Sequence, residues 1–226
     1  MCSSDLLGQA GPTRARGRAH MSSARLSPAT GAPALAPMAK GSTLRTTLAF
    51  IEESAGATTA QRVLGRLTPA EREAVRAAGA TDEVPFALAR ALWRAADAEL
   101  RDADPTWAEK SGAHSIASVG LKLYGGILRK PTPLEFLTEG ISLFRLYYHP
   151  GDMEVVERGE GRVVLRLVGF DHDEPLFCRR QSGGLHRALQ AAGGSEPRVT
   201  HVRCALEGDA FCEWELAWKS GPVVSE

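Results

Sequence analysis

The chain lacks any apolar run approaching the roughly 20 residues needed to span a bilayer, and it lacks a surplus of either charge, with 27 basic and 27 acidic side chains in 226 residues. It also lacks a signal-peptide apolar core, which gives the expectation of a cytoplasmic protein. No GxSxG elbow, HExxH pair, P-loop or dinucleotide fingerprint occurs, so the common hydrolase, zincin, nucleotidase and dehydrogenase signatures are excluded. The balanced charge argues against a direct nucleic-acid binder, whose footprint is a basic surface. Aromatic residues are sparse at 6%, and there are only four cysteines. One of these, Cys2, stands in a stretch to Pro37 rich in Ala, Gly, Pro, Arg and Ser without periodicity. Such composition buries too little apolar surface to offset chain entropy. Residues 1–40 therefore read as a disordered or artefactual extension, a transit peptide being the alternative, and residues 41–220 as one domain. Setting aside residues 1–37 removes four arginines and one aspartate from the 27 of each sign, leaving a mildly acidic body with 23 basic and 26 acidic groups.

What is present falls into two halves. Ser42 precedes Leu44, Leu48 and Ile51 at helical spacing, and Pro85 starts a segment carrying Phe86, Leu92 and Trp93. Thr68-Pro69-Ala70-Glu71 and Thr132-Pro133-Leu134-Glu135 are capping boxes with proline at the first helical position. A helix is expected from Trp107 to Leu128, and another after Thr132 through Leu137, Ile141, Phe144 and Tyr147. Beyond His149-Pro150-Gly151 the period becomes two. Met153–Glu157 and Arg162–Val168 flank a Gly159-Glu160-Gly161 turn, a helix runs from about Pro175 to Ala192, and Val199–Leu206 with Phe211–Trp218 form a second hairpin. The expected fold class is α+β: a helical N-terminal half, then a four-stranded antiparallel sheet with one crossing helix.

Three cysteines and a histidine fall in this second half. Cys178 opens the crossing helix, and His201, Cys204 and Cys212 lie on the hairpin, so a helix laid across a hairpin supplies four donors suited to Zn²⁺. Residues three apart in an ideal strand face opposite sides, so joint ligation by His201 and Cys204 requires a bulge or strand end. The alternatives are a Cys204–Cys212 disulfide or buried cysteines acting as small apolar residues. Glu207 or water is the substitute fourth ligand. The neighbouring Asp171-His172-Asp173-Glu174 reads as a solvated loop that caps the following helix.

The order of Cys178, Cys204, Gly208-Asp209 and Cys212 resembles the 4-vinyl reductase domain of bacteriochlorophyll-synthesis proteins and of bacterial phenol- and xylene-responsive activators. His201 stands where those sensors carry a glutamate. The resemblance implies a structural Zn²⁺ as cofactor and a fold similar to haem nitric oxide sensors and a Golgi trafficking subunit. It implies a sensory domain without catalysis, binding a small apolar ligand between helices and sheet, with homodimerisation through the helical half and a separate signalling partner. Trp107, His114, Tyr124, Phe144 and Tyr147 are the candidate pocket residues. The alternative function is a tetrapyrrole-related biosynthetic accessory protein or enzyme. Haem is a further alternative, with His114 and His149 as axial candidates, although the Tyr-x-Ser-x-Arg motif of haem sensors is absent.

Overall fold

The computed structural model describes residues 35–120, 132–139 and 143–219. Residues 1–34 of the expected N-terminal extension and Tyr124 lie outside the described residues, whereas residues 38–40 of that extension form a strand. Strand β1 (Met38–Lys40) leads into helices α1 (Gly41–Ala55), α2 (Ala57–Gly65) and α3 (Pro69–Ala77). Strand β2 (Glu83–Pro85) precedes α4 (Phe86–Leu100) and α5 (Trp107–Ser115), which passes into a π-helical turn at Ile116–Gly120. Helix α6 (Pro133–Glu139) and a 3₁₀ turn (Leu143–Leu146) precede β3 (Tyr148–His149). Strands β4 (Asp152–Gly159) and β5 (Arg162–Val168), helix α7 (Pro175–Ala191), and strands β6 (Ser195–Arg203) and β7 (Glu213–Lys219) complete the described elements.

Among the described residues the architecture is α+β, with helices preceding a four-stranded antiparallel sheet of order β4-β5-β7-β6. A second sheet of order β2-β1-β3 was not foreseen, because strands of two or three residues carry no readable alternation. Its backbone pairing extends to a bond from the Phe86 amide to the Pro37 carbonyl at 2.9 Å, and Ala39 is fully buried. Helix α2 was also missed: one glycine, Gly56, separates it from α1, and no side chain caps its start. In the expected helix from Trp107 to Leu128, α-helix passes into π-helix at Ile116, and positions 121–128 and Ile141 lie outside the described residues; Phe144 lies on the 3₁₀ turn and Tyr147 just after it. Both threonine caps form: Thr68 and Glu71 exchange the two capping-box bonds, and the Glu135 amide donates to Thr132 Oγ1 at 3.2 Å.

The core is apolar and aromatic. Trp93, Phe177, Leu189, Trp214 and Leu216 are fully buried, each contributing about 1.5–3 kcal/mol of transfer free energy. Phe86 sits within an aromatic cluster, its ring 5.1 Å from Phe170, 5.6 Å from Trp93 and 5.7 Å from Phe177. Helix α7 lies against both β6 and β7, and Ser182 accepts from the Trp214 indole at 3.0 Å. Helix α5 packs along α7 at a spacing only glycine permits. A Cβ at Gly112 would stand 2.0 Å from the Arg180 carbonyl oxygen, and one at Gly183 would stand 1.8 Å from that of Glu109. Gly112, which reads from sequence as a weak point in a helix, is thus a contact surface. This close crossing fixes the α7 N-terminus over the β6–β7 turn, where the cysteines gather.

Candidate metal centre

Cys178, His201, Cys204 and Cys212 come together with one donor atom each, all within 4.8 Å of one another. Cys178 projects from the first turn of α7, whose start is fixed by Glu174: its buried carboxylate accepts from the Leu176 amide at 3.2 Å and from Arg94 at 2.6 Å. Cys212 immediately precedes β7, and Cys204 follows β6. Between them, a tight turn is held by the Asp209 carboxylate, which accepts from the Cys204 amide at 2.8 Å. The Ala205 amide donates to Cys212 Sγ at 3.4 Å. The geometric requirement on β6 is met by an irregularity: His201 pairs with Trp214 and Arg203 with Glu213, so the register shifts between His201 and Arg203. The His201 ring stacks on Trp214 at 4.5 Å. All three cysteines are free thiols, and the Cys178–Cys212 sulfurs stand 3.9 Å apart.

A second imidazole belongs to this cluster. His172 Nε2 lies 3.6 Å from Cys212 Sγ and 3.7 Å from Cys178 Sγ. The residue is buried, not part of a solvated loop. The loop reading holds for its neighbours, since Glu174 caps α7 and Asp173 pairs with Arg90. The signal that locates His172 is period two: Phe170, His172, Glu174 and Leu176 are buried while Asp171 and Asp173 are exposed. Glu207, the substitute fourth ligand by sequence, is exposed on a 3₁₀ turn.

The thiols titrate as a group. The hydrogen bond from Cys178 holds the Cys212 thiol well below the usual thiol range, helped by His172, His201 and the Ala205 amide, while burial opposes them. Cys178 is pushed up by that same bond to Cys212 and then by burial, and Cys204 is pushed up chiefly by burial. The cluster thus concentrates three sulfurs and two imidazoles. Metal ligation requires deprotonated sulfur, so binding here would release protons. Three sulfurs with imidazole nitrogen suit soft and borderline transition ions rather than Mg²⁺ or Ca²⁺.

The candidate pocket residues are spread out. Phe144 is in the aromatic cluster, 5.1 Å from Phe170 and 5.4 Å from Tyr148. Tyr147 lines a small cavity beside α5 and α7. Trp107 is buried, its indole donating to Asp97 at 2.9 Å, and His114 Nδ1 is 3.6 Å from a Glu53 carboxylate oxygen.

No protein-family model matches the chain, and a search of curated proteins finds no match. Solved structures do share its fold. The Fe(II) unliganded H-NOX protein from K. algicida superposes with a TM-score of 0.61 at 12% identity, covering 82% of this chain and 100% of that chain. The H-NOX protein from S. oneidensis in its Fe(II)NO state gives 0.55 at 14% identity, covering 80% and 99%. A variant H-NOX protein from T. tengcongensis gives 0.60 at 11% identity, covering 80% and 98%. At these identities the likeness shows the fold: the described chain is a mixed α+β protein of H-NOX architecture.

Two expectations are thereby corrected. The assignment to the 4-vinyl reductase family rested on three cysteines and a turn, and the fold matches instead lead to H-NOX structures. The expectation of structural Zn²⁺ as the cofactor rested on the same four donors and on that assignment; the structures sharing the fold are described by Fe(II), NO and heme. Short ligand spacings recur on unrelated scaffolds, which is why they misdirected the family assignment.

The described residues match a haem site only in part. Between α4, α7 and the end of β5 the aromatic rings pack about 5–6 Å apart, centroid to centroid. Of the two axial candidates, His149 Nε2 lies 3.1 Å from Glu83, whereas His114 turns Nδ1 to Glu53 and leaves a buried Nε2 without a partner, the arrangement of an oriented ligand nitrogen. The sequence has no Tyr-x-Ser-x-Arg segment to hold propionates.

Proposed function

We propose that this chain is a small-molecule sensory domain on the H-NOX fold, with a metal ion held by its Cys/His cluster. The metal ligands are Cys178, Cys204, Cys212 and His201, with His172 beside them. The observation that carries this reading is the continuity between cluster and core: the His172 ring lies 4.5 Å from Phe177, which lies 5.3 Å from both Phe170 and Tyr148. A ligand that repacks those rings would shift an imidazole in contact with two sulfurs. The fold supports a sensory role by analogy, because one fold-sharing protein is described in its Fe(II)NO state. No helix among the described residues is long and apolar enough to cross a membrane.

The test is elemental analysis across the first-row transition metals on protein purified without chelator, followed by a thermal-shift screen of phenols, fatty acids and tetrapyrroles on the metal-loaded chain. Stoichiometric metal, and one compound class that both raises Tm and alters the absorption of a cobalt-substituted centre, is expected. Metal-free protein indifferent to every compound ends this reading.

A further inference from the structure

The least compensated charge among the described residues is not at the cysteines. Arg180, on α7, is 4% exposed, and its Nε has no hydrogen-bond partner. Its guanidinium donates to Ser111 Oγ, has the Tyr148 hydroxyl as a further hydrogen-bond partner, and lies 4.8 Å above the Trp93 ring. These are dipoles and a quadrupole, not a counter-charge. Burial pushes the Tyr148 phenol up, so the nearest acidic hydroxyl stays neutral. Nearby carboxylates are engaged elsewhere: Glu109 receives Arg179 at 2.7 and 2.8 Å, and Glu174 receives Arg94. A buried guanidinium without an anion carries a desolvation cost that such neighbours do not recover.

Beside Arg180 is a cavity of about 40 Å³ lined by Gly112, Ser115, Tyr147, Tyr148, Arg180 and Gly184, with Ile116 and Gln181 completing the wall. One water needs about 10–15 Å³ on this measure, so the space takes a group of about three non-hydrogen atoms. Its walls match that content. Gly112 and Gly184 contribute no side chain, and Ser115, Tyr147 and Tyr148 bring hydroxyls. The guanidinium is a planar fork suited to two oxygens of one anion.

We propose that this cavity is an anion site taking a carboxylate-sized oxyanion, seated against Arg180 between α5 and α7. The inference deepens the sensory reading by naming the charge of the ligand, and rests on that reading for its purpose but not for its existence. The occupant is either a free small anion or the carboxylate head of a larger molecule. Both present the same atoms to Arg180.

The experiment titrates the full chain with sodium formate, acetate, propionate and hexanoate at constant ionic strength, reading Tm and calorimetric Kd. Saturable binding is expected, with Tm raised by about 5 °C near a hundredfold excess over Kd. Tightest binding by formate identifies a free anion; affinity rising with chain length identifies a headgroup. Arg180→Met should fold and lose the response, and Arg180→Lys should weaken Kd at least tenfold, because the charge stays and the fork goes. No saturable effect of any of the four anions on the wild-type chain overturns the site, as does an unchanged Kd in Arg180→Lys. Anion binding that leaves the cobalt spectrum untouched keeps the site and removes the sensory reading. A neutral compound that stabilises where no anion does has the opposite meaning.

Discussion

His172 and Phe177 lie ring to ring at 4.5 Å, and the same imidazole places Nε2 at 3.6 Å from Cys212 Sγ. One side chain therefore belongs both to the apolar interior and to the polar cluster. In the proposed metal site its contacts with sulfur would be those of a hydrogen-bond partner that orients the ligands.

Replacing His172 by alanine should weaken metal affinity about 10- to 100-fold while leaving stoichiometric loading at saturating metal. Competition with a chromophoric chelator measures this. An unaltered affinity would leave His172 as packing only.

Cys178→Ser, Cys204→Ser and Cys212→Ser should each reduce bound metal and Tm together, because metal that binds only the folded chain adds its binding energy to folding. Chelator should lower the wild-type Tm toward the values of the variants. Equal Tm with and without chelator would show that no ion contributes.

Gly183→Ala should destabilise by about 1–3 kcal/mol or more, since the added carbon meets the Glu109 carbonyl oxygen at 1.8 Å and two helices must part. Gly65→Ala, with nothing within 4 Å, is the control and should be neutral or stabilising by up to about 1 kcal/mol. Urea melts of the two variants separate the outcomes.

Glu99 links α2 to α4 by accepting from Arg62 at 2.8 Å and Arg66 at 2.6 Å, and those bonds, Arg62 first, hold its carboxyl below the usual value. A depressed carboxyl contributes stability above its unfolded pKa of about 4.5, lost as pH falls through the folded value. Glu99→Gln should therefore lower Tm at pH 7 by on the order of a degree or two, with the difference closing in acid. A difference that persists at pH 2 would assign the effect to packing.

A chain beginning at Met38 should melt close to the full chain, whereas one beginning at Ser42 should melt lower. The second loses β1, whose residues pair with both β2 and β3. Differential scanning calorimetry of the three lengths gives the answer.

The elements legible in the sequence were those with a local cause. Thr68 and Thr132 announce helix starts because capping is settled within four residues, and the β4–β5 hairpin is announced by alternation around its glycine turn. The gathering of Cys178, His201, Cys204 and Cys212 was legible because the crossing helix and hairpin were. His172 was not, since it reads as one more polar residue between aspartates until its inward neighbours Phe170 and Glu174 are placed. Arg180 gives no local sign either: its burial follows from the α5–α7 approach at Gly112 and Gly183, a contact between segments about 70 residues apart. The family assignment failed for a related reason, because a few cysteine spacings describe a binding corner and not the scaffold beneath it.

The register shift in β6 has one more consequence. In the order β4-β5-β7-β6, β6 is an outer strand, with Val202 45% exposed at the point of irregularity. A regular outer strand offers its open row of amides and carbonyls to any other extended chain, and a bulge interrupts that row. Straightening β6 to remove the irregularity would therefore do more than part His201 from Cys204. It would leave an unguarded border along which copies of the protein can add to one another, so self-association at high concentration is the trait to watch in any variant that regularises this strand.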